Sequence, residues 1–372
     1  MGEPLKNFYG PQIPRRIGEM IRAAWPEFPR DAFVESALVD YESSSLTGRG
    51  QCIARAMREH LPPYYPRAIE ILLASLGSKL PPEERERGMG PFIYMPHVMF
   101  VAQFGLDHFE ESMRAQYELT QRFTAEFSIR RFLETQPERT LARLREWASD
   151  PSPDVRRLVS EGTRPRLPWA PRLRAFQLDP RPVLELLELL KDDPSLYVRR
   201  SVANNLNDIS KDHPRIVIDV ARRWLADATP EREWIVRHAL RSAVKRAEGP
   251  ALAALGFGKR AEVAIRRCKI APRRVRIGAS VEIAFDLANA GTRAQRVMAD
   301  LRVHFVKANG RARAKVFKLK ALQLAPRAAV SIRKKLSLAD LTTRKHYPGA
   351  HRVEVLLNGR ARPLGAFTVT RA

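Results

Sequence analysis

The chain has 372 residues, enough for two or three domains with sizeable cores, and it carries a formal net charge of +24. Hydrophobic residues make up 44%, an ordinary share for a globular protein, and no apolar run approaches the length of a membrane span. The first ten residues lack the basic and then apolar pattern of a secretory signal. Cys52 and Cys268 have no metal-type partners nearby in the sequence, so we expect two unpaired thiols in a reducing cytoplasm.

The positive charge is concentrated in the C-terminal third of the chain. From Lys259 onward there are 27 Lys+Arg against 6 Asp+Glu, whereas residues 1–258 are almost balanced. This distribution predicts a separate C-terminal domain and an anionic partner, either nucleic acid or an acidic membrane surface. The alternative is a positively charged surface that serves only solubility.

Residues 1–110 show the apolar spacing of several helices. The predicted segments are Pro14 to Trp25, a helix opening at Asp31, Gly50 to Leu61, and Arg67 to Leu76. The polar, Pro-containing stretch Gly77 to Gly90 is predicted to be a loop.

A repeat of about 40 residues follows from residue 110 onward. Pro151 and Pro194 each precede a Val-Arg-Arg motif by a few residues, and a looser copy follows Pro230. Amphipathic segments precede these turns: Leu141 to Trp147, Val183 to Leu190, and Ile216 to Leu225. Paired helices at this period indicate a HEAT-like solenoid. Its arginines would then either line one concave surface or stabilise the helices themselves.

Beyond Gly258 the apolar period changes from helical to alternating. Seven strands are predicted, starting at Ala261, Ser280, Asp300, Ala314, Ala329, His351 and Pro363, with turn signals such as Asn309-Gly310 and Asn358-Gly359 between them. Short alternating strands at this spacing are typical of an antiparallel immunoglobulin-like sandwich. The predicted fold is therefore multidomain: an α-helical HEAT-like domain over residues 1–258 and a basic, all-β, DNA-binding domain over residues 259–372.

One stretch of the repeat region, Tyr197 to Pro214 (YVRRSVANNLNDISKDHP), combines an apolar helix face with an unusual polar strip. The strip contains two arginines, two asparagines and Asp208. Asp212-His213-Pro214 then reads as the end of one helix and the start of another. We expect Asp208 to face a nucleic-acid backbone and His213 to be structural.

Three stretches in this region carry a family resemblance: Thr124 to Arg130, Val159 to Trp169, and Ser201 to Pro214. Together they resemble the AlkC branch of the HEAT-like DNA alkylation-repair glycosylases, and the strand-rich tail resembles the immunoglobulin-like domain that some members append. The resemblance implies excision of cationic N3-methylated bases, 3-methyladenine and 3-methylcytosine, from DNA. It also implies that bent DNA lies on a concave surface, without a deep pocket for the base.

Cleaving an N-glycosidic bond builds positive charge on the deoxyribose, which a nearby carboxylate stabilises. The matching stretches offer three carboxylates, and we predict that Glu161, Asp208 and Glu126 are catalytic. Glu161 is the first choice, because it precedes Gly162 at a helix C-terminus, where the helix dipole disfavours a carboxylate. Structural alternatives remain for each: Glu161 with Arg157 or Arg164, Asp208 with Lys211, and Glu126 with Arg130 at i,i+4.

Trp169 follows Pro168 in a basic, Pro-rich loop that is suited to gripping phosphates and stacking on a nucleotide. The alternative is a tryptophan that caps one layer of the solenoid. The full set of predicted substrate and DNA contacts is Trp169, Arg156, Arg157, Arg164, Arg166, Arg199, Arg200 and Asn205.

The sequence therefore predicts a monofunctional DNA glycosylase that acts on alkylated duplex DNA. We expect a monomer in the bacterial cytoplasm, associated with the nucleoid through DNA, with no cofactor, no metal and no membrane contact. The alternative is a non-catalytic HEAT-repeat binder of damaged or branched DNA. An adaptor for protein partners is disfavoured, because it would not need the C-terminal charge.

Overall fold

The computed structural model describes residues 5–79, 90–258, 262–340 and 345–371. Within these ranges α-helices occupy the N-terminal part and β-strands the C-terminal part, as predicted. Most of the loop predicted at Gly77 to Gly90 lies outside the described residues. No described helix is both long and apolar enough to cross a bilayer.

Sixteen α-helices are described, together with short 3-10 helices at Leu5–Phe8 and Gly90–Tyr94. The α-helices are α1 (Gln12–Ala24), α2 (Arg30–Leu38), α3 (Leu46–His60), α4 (Tyr65–Ala74), α5 (Met95–Phe104), α6 (Phe109–Thr120), α7 (Ile129–Thr135), α8 (Pro137–Trp147), α9 (Pro153–Gly162), α10 (Arg174–Leu178), α11 (Arg181–Leu189), α12 (Leu196–Ile209), α13 (Pro214–Leu225), α14 (Pro230–Ala239), α15 (Arg241–Lys245) and α16 (Gly249–Ala254). The helices predicted from periodicity are all present, with ends that differ by a few residues.

Prolines set many of these helix boundaries. Pro153, Pro214 and Pro230 each stand at the first position of a helix, where the missing N–H would have no intrahelical partner. At the other end of a helix, α1 stops just before Trp25-Pro26, because the residue before a proline disfavours the helical conformation. The restart predicted at Pro214 is confirmed.

The two Val-Arg-Arg motifs lie in helix pairs that pack against each other. The pair α8–α9 packs against the pair α11–α12, with α9 lying along α12. The two Val-Arg-Arg turns share one hydrogen-bond pattern. Arg156 Nη1 donates to the carbonyls of Asp150 (2.7 Å) and Pro151 (3.0 Å), and Arg199 Nη1 donates to those of Asp193 (2.9 Å) and Pro194 (2.8 Å). The first arginine of each motif therefore closes its own turn.

The chain divides into two compact units. One contains residues 1–213 and 229–235, and the other contains residues 214–228 and 236–372, so that α13, α15 and α16 group with the strands. The domain boundary predicted at residues 258 and 259 adjoins residues 259–261, which the structure does not describe, and it stays a prediction.

Within the described residues, eight strands form two sheets: β1 (Val263–Ala271), β2 (Arg274–Arg276), β3 (Ser280–Asn289), β4 (Gln295–Val306), β5 (Ala312–Leu324), β6 (Ala329–Ser337), β7 (Gly349–Leu357) and β8 (Arg360–Thr370). The three-stranded sheet has the order β1-β3-β6, and the five-stranded sheet has the order β2-β8-β7-β4-β5. All described pairs are antiparallel except β2 with β8. The sequence missed β2, because three residues are too few to show alternation.

Alternate residues of both sheets form one hydrophobic core, as in Ile283 and Phe285 of β3 and Leu301 and Val303 of β4. The predicted Asn358-Gly359 turn joins β7 to β8, and both residues have positive φ (46° and 82°). A two-residue turn of this kind matches the right-handed twist of the paired strands.

Candidate active site

A cavity of about 1180 Å³ lies within the helical unit. Much of its wall is apolar and consists of aromatic and methionine side chains, among them Phe92, Phe123, Phe127, Met95 and Met99. Polar side chains reach it from the first 3-10 helix, from the turn before α3 and the start of α3, from the turn before α7 and α7 itself, and from the end of α9 and the loop that follows. The last two places contain residues of two of the three stretches that carried the family resemblance.

Two of the three predicted catalytic carboxylates, Glu126 and Glu161, line this cavity. Glu126 stands in the turn before α7, and Glu161 stands in the last turn of α9. Gly162, which follows, ends α9 as predicted. A Cβ at Gly162 would lie 2.5 Å from Ile129 Cγ2, so the glycine allows α9 to approach α7 closely. That close approach brings the two carboxylates to the same cavity.

Arg157 joins Glu126 and Glu161. Its Nη1 lies 2.6 Å from Glu126 Oε2 and its Nη2 lies 3.5 Å from Glu161 Oε1. Thr124 completes the arrangement around Glu126, because its hydroxyl donates to Glu126 Oε2 at 2.8 Å. Burial alone would lower the pKa of Arg157, but the carboxylates outweigh it and raise that pKa. Arg157 is therefore a permanent cation between two carboxylates.

Glu161 is 7% exposed, and both of its oxygens have partners. Oε1 accepts from Arg164 Nη1 at 2.7 Å, and Oε2 accepts from Ser201 Oγ at 2.5 Å. Burial would raise the pKa of Glu161, but Arg157, Arg164 and the Ser201 hydrogen bond together lower it below its ordinary value. Glu161 is consequently ionised at neutral pH.

Asp208 is 3% exposed and is not among the residues that line the cavity. Its Oδ2 lies 2.8 Å from Arg164 Nη2, and its Oδ1 lies 2.8 Å from Lys211 Nζ. The carboxylates Glu126, Glu161 and Asp208 thus alternate with Arg157 and Arg164; we call these five residues the carboxylate network. Asp208 reaches the cavity through Arg164.

The structural alternatives raised by the sequence have mixed outcomes. Glu161 does pair with Arg157 and Arg164, and Asp208 does pair with Lys211. The alternative i,i+4 pair of Glu126 with Arg130 does not form, because Glu126 pairs with Arg157 of α9.

Arg130 has a different role, since its guanidinium donates to backbone carbonyls. Its partners are the carbonyls of Gly162 (3.2 Å), Arg164 (2.7 Å) and Pro171. Burial lowers the pKa of Arg130 to about 10. Arg130 therefore ties α7 to both ends of the loop that carries Trp169.

Trp169 lines the cavity, is 83% exposed and has a φ of 64°. The left-handed region is unfavourable for a bulky aromatic residue, and such strain is frequent at functional sites. The alternative in which Trp169 caps a layer of the solenoid is wrong, because a capping ring would be buried. The exposed ring is available for stacking.

The other predicted DNA contacts are mostly engaged within the protein. Arg156 forms a two-point ion pair with the buried Asp193, in addition to closing its turn, and Arg166 pairs with Asp212. Asn205 is 0% exposed and donates to Ser160 O at 2.7 Å, so it ties α12 to α9 beneath the surface. These positions do not support direct DNA contact by Arg156, Arg166 or Asn205. His213 is structural as expected: its Nε2 lies 2.8 Å from Gln177 O.

Sequence reasoning missed the N-terminal wall of the cavity. Leu5 and Lys6 line it from the first 3-10 helix. The buried Arg49 anchors this segment, because its guanidinium donates to the carbonyls of Lys6 (2.9 Å), Tyr9 (2.9 Å) and Tyr41 (3.1 Å). No local pattern announces the contact, since Arg49 lies 43 residues after Lys6 in the chain.

Within the described residues no group of His, Cys, Asp or Glu has the arrangement of a metal site. For chemistry the cavity presents carboxylates, their arginine partners and the exposed indole of Trp169. Ionised carboxylates at an apolar wall stabilise positive charge on a bound group, because the surroundings screen them weakly.

Known proteins match both parts of this architecture. Residues 264–371 match the family described as the C-terminal Ig-like domain of the uncharacterised protein YhaZ. Over 366 residues the chain is 36% identical to the "Uncharacterized protein YhaZ" of Bacillus subtilis (strain 168), covering 98% of this chain and 99% of that protein. A solved structure of the alkylpurine DNA glycosylase AlkC of Pseudomonas fluorescens, bound to DNA containing an abasic site analog, matches with a TM-score of 0.87 and 37% identity. That match covers 99% of this chain and 100% of the other. The chain belongs to the AlkC family of DNA alkylation-repair glycosylases.

Membership of the AlkC family confirms the resemblance seen in the three sequence stretches and in the strand-rich tail. It also confirms the fold class, a helical region followed by an immunoglobulin-like β domain. The match to the AlkC structure extends over both parts of the chain. The AlkC-like fold thus includes the segments that carry Glu126, Glu161 and Trp169.

Proposed function

We propose that this AlkC-family chain is a monofunctional DNA glycosylase. Its substrates would be cationic alkylated bases in duplex DNA, 3-methyladenine and 3-methylcytosine, and it would hydrolyse the bond between base and deoxyribose. The observation that supports this most is the pairing of Glu126 and Glu161 at one cavity, where arginines keep Glu161 ionised. The DNA-bound AlkC structure supports DNA as the partner.

The reaction follows from the charges. As the N-glycosidic bond breaks, its electron pair leaves with the base, which was cationic and departs neutral without a general acid. The deoxyribose then carries oxocarbenium character, and an adjacent carboxylate stabilises that charge more in the transition state than in the ground state. Water adds to C1′, and its proton passes to a carboxylate or to solvent.

The three carboxylates divide this work according to their positions. Glu161, ionised and at the cavity wall, would stabilise the sugar, and Glu126 beside it would orient the water. Asp208 would act through Arg164, because it holds the guanidinium that contacts Glu161. Glu161 would thus have the leading catalytic role, as the sequence suggested, and Asp208 an indirect one.

DNA would be held by contacts outside the carboxylate network. Trp169 presents an exposed ring at the cavity, suited to stacking on a nucleotide. The basic β domain would grip phosphates, since such contacts dominate affinity for nucleic acids. Its positive charge favours DNA over a protein partner.

The test is release of free methylated base from alkylated duplex DNA under single-turnover conditions. Wild-type protein is expected to release base, and Glu161→Gln is expected to reduce the rate by roughly 100-fold to 1000-fold, as for loss of one charge-stabilising group. Glu134→Gln is the matched control, since Glu134 also lines the cavity but pairs with Arg131 outside the network. DNA binding by the wild type without any base release would instead identify a non-catalytic binder of damaged DNA.

A further inference from the structure

The two Val-Arg-Arg motifs place their second arginines, Arg157 and Arg200, at equivalent positions of α9 and α12. The first arginines, Arg156 and Arg199, make the same pair of turn-closing hydrogen bonds in both copies. The local structures therefore correspond. The second arginines nevertheless have opposite surroundings.

Arg157 is enclosed by its partners. Its side chain is 15% exposed, it pairs with Glu126 and Glu161, and its Nη1 also donates to Thr124 Oγ1 at 2.9 Å. The guanidinium carbon lies 5.3 Å from the centre of the Tyr197 ring, within reach of a cation–π contact. The carboxylates and the ring together fix the position of this cation.

The side chain of Arg200 is exposed and makes no ion pair or hydrogen bond with any residue in the described ranges. A cation on a long, free side chain is available to a phosphate, whereas one that is held by two carboxylates is not. The repeat thus offers two copies of one residue, of which only Arg200 is free to meet DNA.

We propose that Arg157 is a positioning residue, which holds Glu126 and Glu161 side by side at the cavity, and that Arg200 contacts a DNA phosphate. The first half rests on the proposed glycosylase function, because it assigns the use of the two carboxylates. The sequence had assigned both arginines to phosphate contacts. The structure distinguishes them.

The physical reason lies in the cost of two buried like charges. Glu126, in the turn before α7, and Glu161, on α9, repel each other, so without a cation between them one would move away or take up a proton. The other charged or titratable groups near Glu161 are Arg164 in the following loop, which pairs with it, and Tyr197 on α12. Arg164 is shared with Asp208, and Arg130 on α7 donates to backbone carbonyls. Among the described residues, Arg157 is the cation that pairs with both Glu126 and Glu161.

The experiment compares Arg157→Met with Arg200→Met in the full chain, and Arg157→Lys serves as the conservative variant. Single-turnover base release is measured at saturating protein across pH, and DNA affinity is measured across salt on undamaged duplex. For Arg157→Met we expect a rate loss of up to ~100-fold and an acid limb displaced to higher pH, with affinity unchanged. Arg157→Lys is expected to recover part of the rate, because it restores the cation.

For Arg200→Met we expect a loss of binding. Affinity should fall, and the slope of log affinity against log salt should decrease by about 0.9, as for one lost phosphate contact, while the acid limb of the rate should stay at the pH of the wild type. The assignment would be overturned if Arg200→Met bound DNA as tightly as the wild type. It would also be overturned if Arg157→Met showed a reduced salt slope together with an unchanged pH profile.

These outcomes stay distinct from failure of the proposed function. If wild-type protein releases no base, the glycosylase proposal fails, while the affinity and salt measurements still decide which arginine meets phosphate. The free energy of unfolding then decides the positioning half: Arg157→Met should destabilise the protein and Arg157→Lys should recover part of the loss. Equal stability of wild type and Arg157→Met would reject it, and failure of Arg157→Met to fold would support it if Arg157→Lys folds.

Discussion

Ser201 Oγ lies 2.5 Å from Glu161 Oε2, and both side chains are buried. A carboxylate can only accept, so Ser201 donates its single proton to Glu161. Ser160, whose Oγ is 3.0 Å from Ser201 Oγ, must then be the donor in the second contact. The hydroxyl of Ser201 on α12 therefore stabilises the negative charge of Glu161, which lies on α9 at the cavity.

Ser201→Ala should destabilise the protein by about 1.5–3 kcal/mol at neutral pH, because a hydrogen bond to a buried charge is lost. The pKa of Glu161 is lower in the folded protein than its ordinary value of 4.5. The ionised Glu161 therefore stabilises the protein above pH 4.5, and this stabilisation is lost as the pH falls through the pKa of the folded state. The difference between variant and wild type should therefore shrink below pH 4.5, as measured by urea unfolding. The matched control is Ser210→Ala in the same helical segment, which loses a bond to the Asn207 carbonyl and should show a difference that does not depend on pH.

Trp169→Gly should separate stability from function. Glycine adopts a φ of 64° without strain, so the free energy of unfolding should stay equal or rise by about 1 kcal/mol. Base release should fall, because the exposed ring is gone. Trp169→Asn, which also tolerates this conformation, should behave in the same way. A marked loss of stability in both variants would show that the ring packs against the protein.

Gly162→Ala should destabilise the protein by roughly 1–3 kcal/mol, because the new Cβ would come 2.5 Å from Ile129 Cγ2 and would push α9 away from α7. Base release should fall as well, since α9 carries Glu161. The control is Gly249→Ala at the start of α16, where a Cβ meets nothing within 4 Å. Thermal unfolding of both variants checks the contrast, and equal effects would contradict it.

His97 should make the helical unit sensitive to acid. Burial lowers its pKa to about 4 from 6.5, so the unfolded chain binds a proton more readily between these values. Neutral His97 stabilises the folded protein above pH 6.5, and this stabilisation is lost as the pH falls towards 4. The free energy of unfolding should decrease by about 3 kcal/mol in total over this range. His97→Leu should lose correspondingly less stability between pH 7 and pH 4.5 in denaturant unfolding. Parallel curves for variant and wild type would disprove this origin.

The sequence alone was informative where the signal is local. Apolar spacing and prolines located the helices, alternation and Asn-Gly turns located seven of the eight described strands, and the Val-Arg-Arg motifs located the helix pairs α8–α9 and α11–α12. Each of these signals depends on residues a few positions apart. The short strand β2 was missed because three residues are too few to show alternation.

The site was predicted as a set of residue types but not as an arrangement. Nothing local indicates that Arg157 links Glu126 to Glu161, that Arg49 brings Lys6 to the cavity wall, or that Asn205 is buried beneath it. Local spacing instead suggested Arg130 as a partner of Glu126, whereas in the structure Arg130 donates hydrogen bonds to backbone carbonyls.

The sequence by itself determined the family, the order of helical and β regions and the carboxylates on which a glycosylase would depend. Only the tertiary structure decided which of them reach the cavity and which arginine each one meets. The physical reason is that charge pairing in a buried site depends on distances of a few ångströms between helices about 40 residues apart. Two arginines in identical motifs can thus differ completely, as Arg157 and Arg200 do.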